Sequence, residues 1–341
     1  MKKIKELLNH IFIDGLSGMA TGLFATLIVG TILSQIGELI PGVVGDSIYM
    51  MGKIASSVTG AGIGCGVAIK FKEPPLVTLS AAVCGMMGAF ASKILAGSVL
   101  VDGVIHYAGP GEPLGAFIAA IVGIYMGHLI AGKTKVDILV TPLCCITAGS
   151  AVGLVLGPPI SSFMLLLGEM INMGTQQQPL LMGIIVSVLM GIILNLGGLA
   201  AGAATVGCCA NMVGFAVASY RENGVNGLLA QGLGTSMLQI GNIVRKPIIW
   251  LPVILTSAIL GPIATVVFGM TNNATGSGMG TAGLVGQITT YQTMAAERGS
   301  VTTLLLILLL HFILPAILTL FFSEFMRKKG WIKDGDMKLN M

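Results

Sequence analysis

Apolar runs of about 17–25 residues recur along the chain, the length needed to cross a hydrocarbon core of about 30 Å. No joint between them is long enough for a separate soluble domain, which leaves few folds open. Charged residues are 9% of the chain, against roughly a quarter in ordinary soluble domains, too few to cover a soluble protein of this size. An outer-membrane barrel needs short alternating strands, whereas these runs are continuous. The expected fold is all-α integral membrane, with about ten transmembrane helices at 13–37, 47–70, 75–97, 113–132, 137–157, 159–173, 179–196, 197–220, 247–270 and 301–325. Segment 159–173 is short enough to be re-entrant.

The basic residues supply an orientation. Lys2, Lys3 and Lys5 precede the first run, Lys70 and Lys72 follow the second, and Lys133 and Lys135 follow the fourth. Arg221 follows the eighth, Arg245 and Lys246 precede the ninth, and Arg327, Lys328 and Lys329 follow the tenth. If each run crosses once, all these clusters share one side, and the positive-inside rule puts both termini in the cytoplasm. Residues 1–329 then form the membrane domain and 330–341 a short cytoplasmic tail. The basic start leads into a long apolar run without a small-x-small cleavage site, so it reads as a retained helix. A net charge of +4 gives no case for a nucleic-acid partner.

Glycine is abundant, at 49 residues, and spacings such as Gly18/Gly22 and Gly60/Gly64 suit closely packed membrane helices. The six cysteines include the adjacent pairs Cys144/Cys145 and Cys208/Cys209. They form no CxxC and no Cys/His metal spacing, so they read as small buried apolar side chains, and neither metal nor cofactor is expected. HExxH is also absent.

Two Gly-rich segments lie outside the runs: 227–246 and TNNATGSGMGTAGLVGQ at 271–287. They share Gly232-Leu233-Gly234-Thr235 and Gly278-Met279-Gly280-Thr281, each followed by a glutamine, Gln239 or Gln287. Approached from opposite faces, such segments suggest an inverted repeat with re-entrant elements near the midplane. Gly278, Gly280 and Gly283 also spell G-x-G-x-x-G. A dinucleotide loop needs a preceding strand, and here a membrane span precedes it. Two readings stay open, an exposed loop and a re-entrant, solute-contacting segment.

Ionisable and amide side chains inside apolar runs are candidate functional groups. His311 lies mid-run in LLLHFILPAIL, and Pro315 cannot donate to its carbonyl. Asn211 and Glu169 are further candidates, each weighed against a plain interhelical or interfacial role. Lys53, Lys93 and Glu38 fit snorkelling at span ends. Asp102, His106 and Glu112 fall in a polar segment between runs and read first as solvated.

Four blocks carry a family resemblance: KTKVDILVTPL (133–143), GLAAGAATVGCCANMVGFAVASYRENG (198–224), GLLAQGLGTSMLQ (227–239) and GSGMGTAGLVGQ (276–287). The chain resembles the EIIC-like integral membrane proteins of the bacterial phosphotransferase system, and within them the stand-alone EIIC type 2-like branch that includes toxin-gene regulators. The resemblance implies a sugar-permease-type membrane subunit and a homodimer, although the motif itself does not name the substrate; the reading adopted is a bacterial plasma-membrane protein that binds or moves a small polar solute, with a sugar as the first candidate. It departs from the expected pattern in two ways. No Pro-Ile-Ser-Ser stretch separates Leu194 from Asn195, and no EIIA or EIIB domain is attached, so any phosphorylation falls to separate EIIA/EIIB partners. On this reading the chain is a transport component rather than an enzyme.

The expected solute contacts are Gln231, Thr235, Gln239, Asn272, Gly280, Thr281, Gln287, His311, Glu169 and Asn211. Neutral amides and hydroxyls donate and accept without the cost of burying a charge, which suits sugar hydroxyls. The rival reading is a membrane sensor that binds solute without moving it. An ion channel would want charge rings or repeated carbonyl filters, and neither is visible.

Overall fold

A computed structural model describes residues 10–178, 180, 183, 187 and 196–339, and these are predominantly helical. Among the described residues, six helices are long and apolar enough to cross a membrane, or seven if one bent pair counts as a single span. The chain divides into two compact units, Met1–Phe163 and Met164–Met341.

In the first unit α1 covers His10–Leu39, followed by α2 (Val43–Ser57) and α3 (Thr59–Lys70). The single run expected at 47–70 is therefore broken, with a 55° bend between α2 and α3. The hydroxyls around the break explain it. Thr59 Oγ1 donates to the Ser56 carbonyl at 2.7 Å and Ser57 Oγ to that of Ile54 at 2.8 Å, competing with the helical ladder. The run expected at 75–97 is also divided, into α4 (Pro75–Ala89) and α5 (Ala91–Leu95), at the non-helical Phe90. A two-residue hairpin follows, β1 (Leu100–Val101) paired with β2 (Val104–Ile105). Its turn, Asp102-Gly103, takes φ of 51° and 77°, as a type I′ turn requires.

Helix α6 spans Pro113–Ile130, with Glu112 accepting from the backbone N–H groups of Leu114 and Gly115 at its start. Ile63, Val67, Val77, Phe117 and Ile124 pack in the core of this unit. The close helix approach expected of Gly60 is real: a Cβ there would lie 2.6 Å from the Gly85 carbonyl oxygen.

Helix α7 runs unbroken over Asp137–Gln177. This corrects the expectation of two spans, 137–157 and 159–173. Pro158 and Pro159 lie inside it, removing two ladder hydrogen bonds without ending the helix. At about 1.5 Å per residue its 41 residues far exceed a single bilayer core. The run expected at 179–196, and the junction of Leu194 with Asn195, lie outside the described residues apart from positions 180, 183, 187 and 196.

In the second unit α8 (Gly198–Ala218) is enclosed on nearly every side. Its sequence, GLAAGAATVGCCANMVGFAVA, is small all round, which lets neighbours approach from every direction. Next come α9 (Tyr220–Leu229), a π-helical turn at Ala230–Gly234, a 3₁₀ turn at Ser236–Gln239 and α10 (Ile240–Arg245). Helix α11 covers Pro247–Val267, and the Gly-rich segment then leads into α12 (Val285–Arg298) and α13 (Ser300–Lys328). Val206, Leu260, Met270, Met294 and Leu310 form one apolar cluster of this unit. Phe215, Ile249, Val253, Met326, Ile332 and Met337 form another.

Candidate functional site

The segment 271–287 lies inside the second unit. Ser277, Met279, Thr281, Ala282 and Val285 are all buried. Asn272 fixes its base. One Asn272 Nδ2 donates to Thr205 Oγ1 at 2.8 Å and to the Gly286 carbonyl at 3.2 Å, while Oδ1 accepts from the Asn273 N–H at 2.8 Å. Both amide hydrogens are thus used within the fold. Gly280 has φ +52°, and a Cβ there would sit 2.8 Å from the Cys208 carbonyl carbon and 3.0 Å from the Cys209 nitrogen. Glycine is required at 280 on both counts, conformation and space. The Thr281 hydroxyl donates to the carbonyl of Gly232, so the two segments that share the Gly-x-Gly-Thr pattern touch.

Two polar groups flank this contact. The first is a chain of amides. Gln231 Nε2 donates to Ser219 Oγ at 2.9 Å and to the Gly227 carbonyl at 3.0 Å. Gln231 Oε1 accepts from Gln239 Nε2 at 2.9 Å, and Gln239 Oε1 accepts from Asn242 Nδ2 at 2.8 Å. Gln231 and Gln239 are wholly buried. Thr235 caps the 3₁₀ turn, accepting from the Met237 N–H at 3.2 Å.

The second group holds Gln287, His311 and Cys209. Gln287 Nε2 lies 3.3 Å from Cys209 Sγ and 3.1 Å from His311 Nδ1. His311 sits on a π-helical turn, Leu308–Ile313, where the N–H of Leu314 reaches back to the carbonyl of Leu309. The wide turn lies just before Pro315, which has no N–H for the ladder. Gln287 Oε1 and His311 Nε2 are buried with no hydrogen-bond partner among the described residues. If the Gln287 amide donates to Nδ1, the ring proton is on Nε2, leaving one free donor and one free acceptor. If the amide is turned over, the two roles exchange: the amide nitrogen becomes the free donor group and His311 Nε2 the free acceptor. A hydroxyl, which both donates and accepts, complements the pair in either state.

The remaining candidates fall elsewhere. Asn211 ties α8 to α11, with Oδ1 accepting from Trp250 Nε1 and Nδ2 donating to the Gly207 carbonyl, both at 3.1 Å. Glu169 is exposed on α7 and joins neither group. The sequence reading treated Cys209 as a plain apolar side chain and did not single out Ser219, Thr205, Asn242 or Trp250. Only their nearness to flagged positions in buried helices could have signalled them. Among the described residues, no three His, Cys, Asp or Glu side chains gather as around a metal ion.

Comparison with known families now decides the class. The family model described as Phosphotransferase system, EIIC matches residues 13–339. The chain belongs to that family. No curated protein compared with this EIIC chain matches it. Family and apolar helices together make it a multi-pass membrane protein of the phosphotransferase type, a permease-type sugar-transport subunit. All but one of the expected contacts on this EIIC chain, Glu169 being the exception, fall in the stretch 198–328.

Proposed function

We propose that this EIIC protein binds a neutral sugar at the Gln287–His311 pair and translocates it, with Gln239 along the same path and with Thr281 and Gln231, whose hydrogens are engaged within the fold, holding that path in place. The observation that carries the reading is the buried, uncharged donor–acceptor pair that has no partner among the described residues. An ionic solute would need a compensating charge there, whereas a hydroxyl needs none. Asn272 has both amide hydrogens engaged by the fold, and Asn211 has its oxygen and one amide hydrogen engaged, so we assign them to holding the site rather than to solute contact. Phosphorylation of the sugar is assigned to separate EIIA/EIIB proteins.

The same reading sets the protein in the bacterial inner membrane as a homodimer, with an even number of crossings. Lys2, Lys3 and Lys5 at one end and Arg327, Lys328 and Lys329 at the other support cytoplasmic termini. Segments 227–246 and 271–287 are the re-entrant elements in this picture. Light scattering in mild detergent tests the dimer, and the monomer mass alone contradicts it.

Counterflow in proteoliposomes with a panel of labelled neutral sugars tests the function. Exchange of one sugar supports transport. Saturable binding without exchange assigns a sensor instead, and neither binding nor exchange across the panel removes the sugar reading.

A further inference from the structure

The chain does not end at α13. Past Gly330 (φ +72°) it turns back, and Ile332 and Met337 become buried at 2% and 0% exposure against Phe215, Ile249 and Met326. The polar contacts of this tail are dense. Arg327, its side chain 8% exposed, donates to Glu222 Oε1 at 2.8 Å and to Asp334 Oδ1 at 2.9 Å. Glu222 Oε2 accepts from the Met337 N–H at 2.7 Å, and Asp336 pairs with Lys246. Asn223 grips the tail from both sides: Nδ2 donates to the Met337 carbonyl at 2.9 Å, and Oδ1 accepts from the Leu339 N–H at 2.8 Å.

The tail also ends the amide chain described above. Gln239 Nε2 gives one hydrogen to Gln231 Oε1 and the other to the Met337 carbonyl at 2.9 Å. Asn242 Nδ2 gives one to Gln239 Oε1 and the other to the Lys338 carbonyl at 3.0 Å. Gln231 has spent both of its own on Ser219 and Gly227. An amide nitrogen has two hydrogens, so none of the three has a donor left for a solute.

We propose that residues 331–339 are a plug acting in cis: the Met337 and Lys338 carbonyls occupy the donors of Gln239 and Asn242, and the segment 231–242 binds a solute only when the tail leaves. The contact pattern is that of a bound peptide folded into a turn, with main-chain carbonyls and N–H groups read by Asn and Gln side chains and Met337 seated as an apolar anchor. A sugar hydroxyl and a peptide carbonyl make the same demand on Gln239, so the two exclude each other. Closed and open forms are then a two-state equilibrium, and the open fraction multiplies the affinity for solute. This proposal rests on the sugar reading for the identity of the excluded solute, but not for the occlusion itself.

Hydrogen exchange by mass spectrometry, alongside sugar-panel binding, tests it on three proteins: the full chain, Met337→Gly, and a chain ending at Gly330. Met337→Gly keeps the polar contacts and covers the case in which truncation prevents folding. In the full chain the amides of Met337 and Leu339 exchange slowly. Releasing the tail speeds exchange across 231–242 by about tenfold or more, and tightens sugar binding by about 10–100-fold if the open form is about 1–10% populated. Equal exchange across 231–242 with the tail docked and released overturns the plug, and so does equal sugar affinity. Faster exchange with no sugar bound by any of the three supports the occlusion and fails the sugar reading alone.

Discussion

The Thr281 hydroxyl donates to the carbonyl of Gly232, across 49 positions of sequence, at the point where the two Gly-x-Gly-Thr segments meet. Thr281 has no exposed surface and Gly232 is half-buried, so losing the hydroxyl takes away that carbonyl's partner. Thr281→Ala should lower stability by about 1–3 kcal/mol, with Thr281→Ser largely restoring it. Thermal unfolding in detergent reads both. A Ser variant no better than Ala would mean that the methyl packing, not the hydrogen bond, holds the contact.

Gly280→Val brings two penalties at once. Its φ of +52° is costly for a β-branched residue, by about 1–2 kcal/mol. Its Cβ would also press into the backbone of Cys208 and Cys209 at 2.8–3.0 Å. Overpacking of this kind costs about 1–3 kcal/mol more. The variant should insert into membranes, melt at lower temperature, and lose sugar binding. Native melting and native binding would show that 276–287 is an ordinary loop.

Low pH should loosen the tail. Burial by itself pushes the Asp336 carboxyl up, but the Lys246 hydrogen bond, the Lys333 backbone N–H and the nearby charges of Lys246 and Arg327 hold it below the ordinary aspartate value. A depressed folded value means the pairing is fully present above the ordinary value of about 3.9 and is lost as pH falls through the folded one. Relative to the intrinsic rate at each pH, exchange of amides 333–339 should stay slow at pH 7 and rise below about pH 4, with Asp336→Asn raising it at pH 7 already. A flat profile in the full chain would remove the carboxylates from the docking.

Orientation is checked by thiol labelling in intact cells. Cysteines placed at Lys135 and Lys328 should resist an impermeant reagent and react after permeabilisation, because both sit in basic clusters. Ready labelling from outside at either position would contradict cytoplasmic termini or an even number of crossings.

The membrane class was legible from run length and the scarcity of charge, because lipid forces both. Span boundaries were less so. At Val58 a helix breaks inside an apolar run, because the hydroxyls of Ser57 and Thr59 redirect the ladder and hydropathy does not register them. At Pro158-Pro159 a helix continues where two prolines suggest an end, so proline alone does not fix a boundary in a long apolar helix. Within the site, Gln287 and His311 were visible as polar side chains in apolar surroundings. Their partner Cys209 was not, since a buried thiol reads as apolar until its neighbours are known. The tail reads as short and polar, and its role depends on Met337 and Asn223, 114 positions apart, which no local pattern connects.

The central claim is that Gln287 and His311 present one donor and one acceptor to a solute hydroxyl. It is tested most directly by binding one sugar and its set of single-deoxy analogues to the wild type and to Gln287→Leu. The account predicts that removing one particular hydroxyl weakens binding to the wild type by about 1–3 kcal/mol, and that Gln287→Leu no longer distinguishes that analogue from the parent sugar. Gln287→Leu with wild-type affinity and the same discrimination across the whole set would contradict it.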